Sequence, residues 1–209
     1  EIAREVLTGT EPTAFLVHGK RGTGKTLVAL ALLAYLYQTY LQQGGRSPSL
    51  RVRYLEKNRD PRIRAETVYR GPREVLSGSL EKVPDDCDCL ICDESHRFRE
   101  YAWGNIKELF LDSFLRKSRV SVFFYDENQR VNLLDYVTPE AIHSAMERRG
   151  LDPLQLQERH LMWQHRCRAG DRFLDAVDRL LDHPELGLEG LGPFCESDPY
   201  QVALVDNPR

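Results

Sequence analysis

Residues 15–30, FLVHGKRGTGKTLVAL, run from an apolar stretch through a glycine-rich bend into Lys-Thr and a second apolar stretch. The pattern reads as strand, loop, helix. Phe15, Leu16 and Val17 suit the end of a buried strand, and 27–36 is a continuous run of helix formers and apolar residues, suited to a helix buried on most of its faces. Between them, Gly19-Lys20-Arg21-Gly22-Thr23-Gly24-Lys25-Thr26 satisfies G-x-x-x-x-G-K-[ST] without departure. A phosphate chain needs many donors at close range, and a loop poor in Cβ atoms lets successive backbone N–H groups turn inward on one anion. The N-terminus of the following helix adds its partial positive charge. Lys25 is placed to reach the β- and γ-phosphates and the Thr26 hydroxyl to ligate Mg²⁺, so the stretch reads as a nucleoside triphosphate site.

A chain of 209 residues fits one domain, or one domain and the beginning of another. Its 41% hydrophobic content supports a sizeable core. No segment has the length of a membrane span and no signal peptide is read ahead of the first strand, so no membrane partner is expected. The first residue, Glu1, is not Met, which reads as a piece of a longer protein. A net charge of −3 gives no global pull toward nucleic acid, while the arginines between Arg46 and Arg73 form either a local basic groove or a solvated surface. Three of the five cysteines, Cys87, Cys89 and Cys92, fall in an apolar strand-like run. Strand alternation makes Cys89 and Cys92 diverge, so they read as core residues rather than zinc ligands, in a reducing compartment, the cytosol or nucleus.

Apolar strands alternate with helical stretches, the pattern of an α/β fold with a parallel sheet. Strands are expected at 14–18, 51–56, 89–93 and 120–125, and helices around 26–42 and 105–115. Residues 44–48 read as a loop. Further on, 139–149 reads as a helix stopped by Gly150, 159–164 as a short extended segment, and 171–181 as an amphipathic helix. A loop at 187–193 and a final strand at 200–205 complete the pattern.

Two polar clusters close apolar strands. CLICDESHRF ends in Asp93 and Glu94. In a P-loop fold the first acid holds magnesium, often through water, and the second accepts a proton from the attacking water. Two acids after a strand are also an ordinary helix start. His96 makes the run D-E-x-H, a pattern of motor ATPases, or is a surface histidine. VSVFFYDENQRV ends in Asp126, Glu127, Asn128 and Gln129, which a parallel strand delivers to the ligand-binding carboxyl edge. Gln129 there orients water or senses a γ-phosphate, or else is a turn residue.

Together these residues resemble motifs I, II and III of superfamily 1 helicases: Lys25-Thr26, then Asp93-Glu94-Ser95-His96, then Asp126-Glu127-Asn128-Gln129-Arg130. The later stretch LMWQHRCRAGDRF is similar to the Q-[FYH]-R-C segment of the Schlafen group 3-like DNA/RNA helicase domain, and YLEKN, closed by Asn58, fits that family's segment after the first helix. The resemblance runs over nearly the whole chain. It implies that Arg166 reaches the γ-phosphate across a domain cleft, that Gln129 links nucleotide state to the nucleic-acid path, and that Asn58 lies near single-stranded nucleic acid. The family needs a second RecA-like lobe, of which only the beginning is legible before VALVDNPR ends.

The expected fold is therefore α/β, a RecA-like P-loop NTPase with a central, mainly parallel sheet flanked by helices. Residues 1–137 are expected to form the ATP-binding lobe, and 138–209 a helical connection, the motif IV segment and the start of a second lobe or closing strand. The expected activity is ATP hydrolysis with Mg²⁺ by a helicase-like protein acting on single-stranded or partly duplex DNA or RNA, together with other domains of the same chain. The alternative is an ATP-gated assembly switch that unwinds nothing.

Overall fold

In the strand Thr13–Gly19 (β1), alternate side chains feed two different cores: Ala14 and Leu16 join one, Phe15 and Val17 the other. The strand Cys87–Cys92 (β4) does the same with Leu90 and Cys92 against Cys89 and Ile91, and so does Ser118–Tyr125 (β5) with Phe123 and Tyr125 against Val122 and Phe124. Strands buried on both faces need near-continuous apolar runs, which is why these segments carry them. The computed structural model describes residues 1–42, 50–56, 75–100, 109–129, 136–163 and 179. Contacts divide the chain into two units, Glu1–Leu161 and Met162–Arg209, and the first holds every strand and helix named below.

Among the described residues, Val52–Leu55 (β2), Leu76–Ser77 (β3) and Leu156–Leu161 (β6) join these strands in a six-stranded sheet in the order β3-β2-β4-β5-β1-β6. Every pairing is parallel. The helices Ile2–Thr8 (α1) and Lys25–Gln42 (α2) cover one face through Val6, Ala29, Leu30, Leu33 and Leu36. Phe110–Lys117 (α3) and Pro139–Arg148 (α4) cover the other. This is an α/β fold with a parallel sheet between helices, consistent with a RecA-like arrangement, as the sequence led one to expect. Because β5 lies between β1 and β4, the glycine-rich loop and the acid pair sit on strands separated by one other strand.

Local chemistry sets the ends of several elements. Thr138 caps α4 by accepting from the Ala141 N–H at 3.2 Å, Pro139 supplies the pre-set first turn, and Gly150 leaves it at φ +66°. The Arg119 guanidinium on β5 donates to the carbonyls of Glu5 and Val6, which fastens α1 to the sheet.

Three differences from the sequence expectation have physical causes. First, α2 is not buried on most faces. Its buried stripe is narrow, and Leu27 and Tyr35 are 66% and 55% exposed, because one side of the helix meets the sheet. Second, the extended segment expected at 159–164 is a sheet strand that begins at Leu156. At the edge of the sheet formed by the described residues, it carries Gln157, Glu158, Arg159 and His160 and lacks an apolar signal. Third, α1 and the two-residue β3 are too short to announce themselves. The cysteines expected in the core are there: Cys87 and Cys92 lie in one core and Cys89 in the other, all three without a disulfide. Burial pushes all three thiols up. The segments expected at 44–48, 171–181 (Arg179 apart), 187–193 and 200–205 fall outside the described residues, as do the first turns of the helix expected at 105–115. No described helix is long and apolar enough to cross a membrane.

Leu33, 1% exposed beneath α2, is a sensitive test of the packing between α2 and the sheet. Leu33→Ala should lower the unfolding free energy by about 2–5 kcal/mol, measured as a drop in urea midpoint at unchanged m-value.

Candidate functional site

A parallel sheet brings every strand out at one edge, and here that edge collects the polar residues. The register aligns Leu55 with Cys92, Cys92 with Phe123, and His18 with Tyr125. Glu56, Asp93, Asp126 and the loop from Gly19 therefore emerge together at the carboxyl ends of β2, β4, β5 and β1.

The loop after β1 is shaped by its glycines. Gly22 and Gly24 have φ of +89° and +88°, backbone that side-chain-bearing residues rarely adopt. At Gly19 a Cβ would lie 2.3 Å from Thr23 Oγ1, so the first glycine is needed for space rather than for its dihedral angle. Thr23 closes the bend, its N–H and hydroxyl both donating to the Lys20 carbonyl at 3.2 and 2.9 Å. Lys20 and Arg21 are exposed on the outside of the loop. α2 starts at Lys25, which leaves its first N–H groups without intrahelical partners and aimed along the loop.

Lys25 is 6% exposed, and a buried ammonium must be compensated. It donates to the Gly19 carbonyl at 2.5 Å, to the Lys20 carbonyl at 3.1 Å and to Asp126 Oδ2 at 2.8 Å. The same Asp126 carboxylate accepts from the Asn128 N–H at 3.2 Å and from the side-chain amide of Gln129. Glu127–Gln129 is a short 3₁₀ turn, so Gln129 stands on a turn and is also tied to Lys25 through one carboxylate.

Asp93 is fully buried. The Tyr54 hydroxyl donates to its Oδ2 at 2.8 Å and the Glu94 N–H to its Oδ1 at 2.9 Å. Burial pushes the Asp93 carboxyl above its ordinary range, offset in part by hydrogen bonds from the Thr26 and Tyr54 hydroxyls. Tyr54 is pushed up by burial and by the negative charges of Asp93 and Glu56, and so remains a donor. Thr26 and Asp93, one hydroxyl beside one buried carboxylate, form a hard oxygen pair of the kind that suits Mg²⁺. A divalent cation beside Asp93 would favour the ionised form that burial disfavours.

Glu94 adopts left-handed backbone at φ +51°, the one such non-glycine among the described residues. This turns its side chain out of the strand direction into a partly buried position. One carboxylate oxygen lies 3.3 Å from His96 Nε2 and 3.1 Å from Arg97 Nε. Burial raises the Glu94 carboxyl, but His96, Arg97 and Lys25 outweigh it and hold the carboxyl below its usual range. Two adjacent carboxyls are thus driven in opposite directions by their surroundings. His96 is not a surface residue: it is fully buried, edge-on to Tyr125 at 6.2 Å, with neither ring nitrogen in hydrogen-bond alignment among the described residues.

The structure thus gathers Gly19 to Thr26, Asp93, Glu94 and Gln129 at one edge. Asn58 and Arg166 lie outside the described residues, as does the Q-H-R-C segment. Sequence reasoning placed Asp126 at this edge without seeing it as the partner of Lys25, a role its place in D-x-x-Q after a strand hints at. Tyr54 as a donor to Asp93 had no signal, since an aromatic residue within a strand reads as core.

A sequence model of the family described as Schlafen group 3, DNA/RNA helicase domain, matches residues 12–209. No curated protein matches the chain.

Asp126→Ala leaves the Lys25 ammonium buried without its carboxylate. It should cost about 3 kcal/mol or more in the ligand-free protein, read from chemical denaturation. A polyphosphate that replaces the lost charge should recover part of the deficit, whereas a substitution at an unrelated surface acid should show neither effect.

Proposed function

Because the chain belongs to the Schlafen group 3 DNA/RNA helicase domain family, we propose that it is an ATP-binding, ATP-hydrolysing, RecA-like lobe of a superfamily 1 helicase-like protein acting on DNA or RNA. The observation that carries this reading is the convergence of Lys25, Asp126 and Gln129 in one hydrogen-bonded chain, beside the Thr26 and Asp93 pair, at a single sheet edge.

Each residue then has a physical role. The loop from Gly19 to Thr26 binds the phosphates through backbone N–H groups and the start of α2. Lys25 moves from Asp126 toward the β- and γ-phosphates, exchanging one anionic partner for another so that its charge is never left unpaired. Asp126 keeps its contact with Gln129, so the arrival of phosphate is felt at motif III. Thr26 and Asp93 would hold Mg²⁺, which when bound neutralises phosphate charge. Glu94, kept ionised by His96 and Arg97, accepts the proton of the attacking water. The family resemblance adds Arg166 as the arginine that meets the γ-phosphate and Asn58 as a nucleic-acid contact. Single-stranded or partly duplex DNA or RNA is the proposed partner, engaged together with other domains of the same protein. The unpaired, buried Cys87, Cys89 and Cys92 support a reducing compartment, the cytosol or nucleus.

Two substitutions separate binding from chemistry. Lys25→Ala should weaken ATP–Mg²⁺ binding at least tenfold by calorimetry, about 1.4 kcal/mol. Glu94→Gln should bind ATP within a few-fold of wild type and lower turnover about 10²-fold, since an amide keeps the shape and accepts no proton. Turnover that survives Glu94→Gln removes the general base from this account. Turnover in the wild type that ignores added single-stranded DNA and RNA favours an ATP-gated assembly switch instead of a motor.

A further inference from the structure

Three side chains at the foot of the loop after β1 lie outside the set given a role in the proposed function. His18 is the penultimate residue of β1, immediately before Gly19, and its register partner on the neighbouring strand β6 is His160. Glu158 stands two residues before His160, hence on the same face of the sheet. The two imidazoles stack with centroids 4.5 Å apart at 11°, and His18 Nε2 lies 2.9 Å from Glu158 Oε2. Taking one ligand atom from each residue, all three atoms lie within 4.8 Å of one another. We infer that His18, Glu158 and His160 form a binding site for a divalent first-row transition metal, with Zn²⁺ the best-fitting ion.

The donor chemistry selects the ion. Two imidazole nitrogens and one carboxylate oxygen suit Zn²⁺ and its neighbours, whereas Mg²⁺ and Ca²⁺ favour oxygen donors. Ligands at about 2.0–2.2 Å around a tetrahedral ion are separated by roughly 3.4 Å, so closure needs side-chain rotations of about an ångström rather than movement of the paired strands. Glu158 and His160 are exposed and His18 is half-buried, which leaves an entry path and room for water in the fourth position. A simple ion pair of His18 with Glu158 would leave His160 without a polar role, since among the described residues it contributes only the stacking contact. With the ion, all three side chains serve one centre.

The location gives the site a mechanical consequence. Leu161 pairs with Gly19 one step beyond the two histidines, so an ion here joins the edge strand β6 to β1 at the residue that opens the phosphate loop. The site uses none of the residues assigned to nucleotide chemistry, and it stands or falls independently of the ATPase reading.

The test titrates Zn²⁺ into the metal-stripped 209-residue chain against a chromophoric chelator, with circular dichroism confirming that each variant is folded. The wild type should bind with a dissociation constant on the order of micromolar, and millimolar Mg²⁺ should not compete. His160→Ala and Glu158→Gln should each weaken the site by at least about tenfold. Co²⁺ in the same site should show the intense visible absorption of low-coordinate cobalt, and His160→Ala should abolish it. Zn²⁺ affinity unchanged in both variants, or no Zn²⁺ bound below about 100 μM, overturns the inference.

Discussion

The ammonium of Lys25 is almost wholly removed from water, and its partner Asp126 comes from a strand a hundred residues away in the chain. Neither group tolerates its position alone, since an unpaired buried charge costs several kcal/mol. The pair therefore demands that β1 and β5 be parallel neighbours with their carboxyl ends level, and their register meets that demand. It also demands a loop that turns tightly enough to bring Lys25 back under its own Gly19 carbonyl. Gly22 and Gly24 supply the turn, and Gly19 the space.

The same pair explains how such an edge can respond to a ligand. A lysine already held by a carboxylate and two carbonyls gives up little when an anion of higher charge arrives, because attraction replaces attraction. What changes is the carboxylate left behind, which still holds the Gln129 amide and the Asn128 N–H. A buried ion pair whose members come from the start of α2 and the residue after β5 is thus a two-position contact, suited to carrying the state of one loop to another. Asp93 and Glu94 extend the logic along the edge. One is driven toward protonation by burial and steadied by Thr26 and Tyr54, while the other is held ionised by its basic neighbours.

How much of this was legible depended on whether the determinant was local. The glycine-rich loop, the apolar runs of β1, β4 and β5 and the acid pair are each written in a few consecutive residues, and backbone chemistry fixes what they can do. β6 was legible only in part. Its polar, alternating residues are those of an edge strand, and its membership in the sheet comes from pairing with β1 far away in sequence. Tyr54 illustrates the same limit at the site. Its spacing marks it as core, and it is core, yet its hydroxyl emerges where Asp93 needs a donor. The left-handed backbone of Glu94 is likewise invisible to propensity, since glutamate is a poor candidate for that conformation and the surrounding fold imposes it.

The central claim is that this sheet edge holds a nucleoside triphosphate with its magnesium. The most direct measurement is a calorimetric titration of the wild-type protein with ATP, once with Mg²⁺ and once with the metal chelated. The account predicts saturable binding of one ATP per chain that tightens when Mg²⁺ is present, because Thr26 and Asp93 would hold the ion and the ion would offset phosphate charge. Absence of binding at millimolar ATP, or binding indifferent to Mg²⁺, would contradict it.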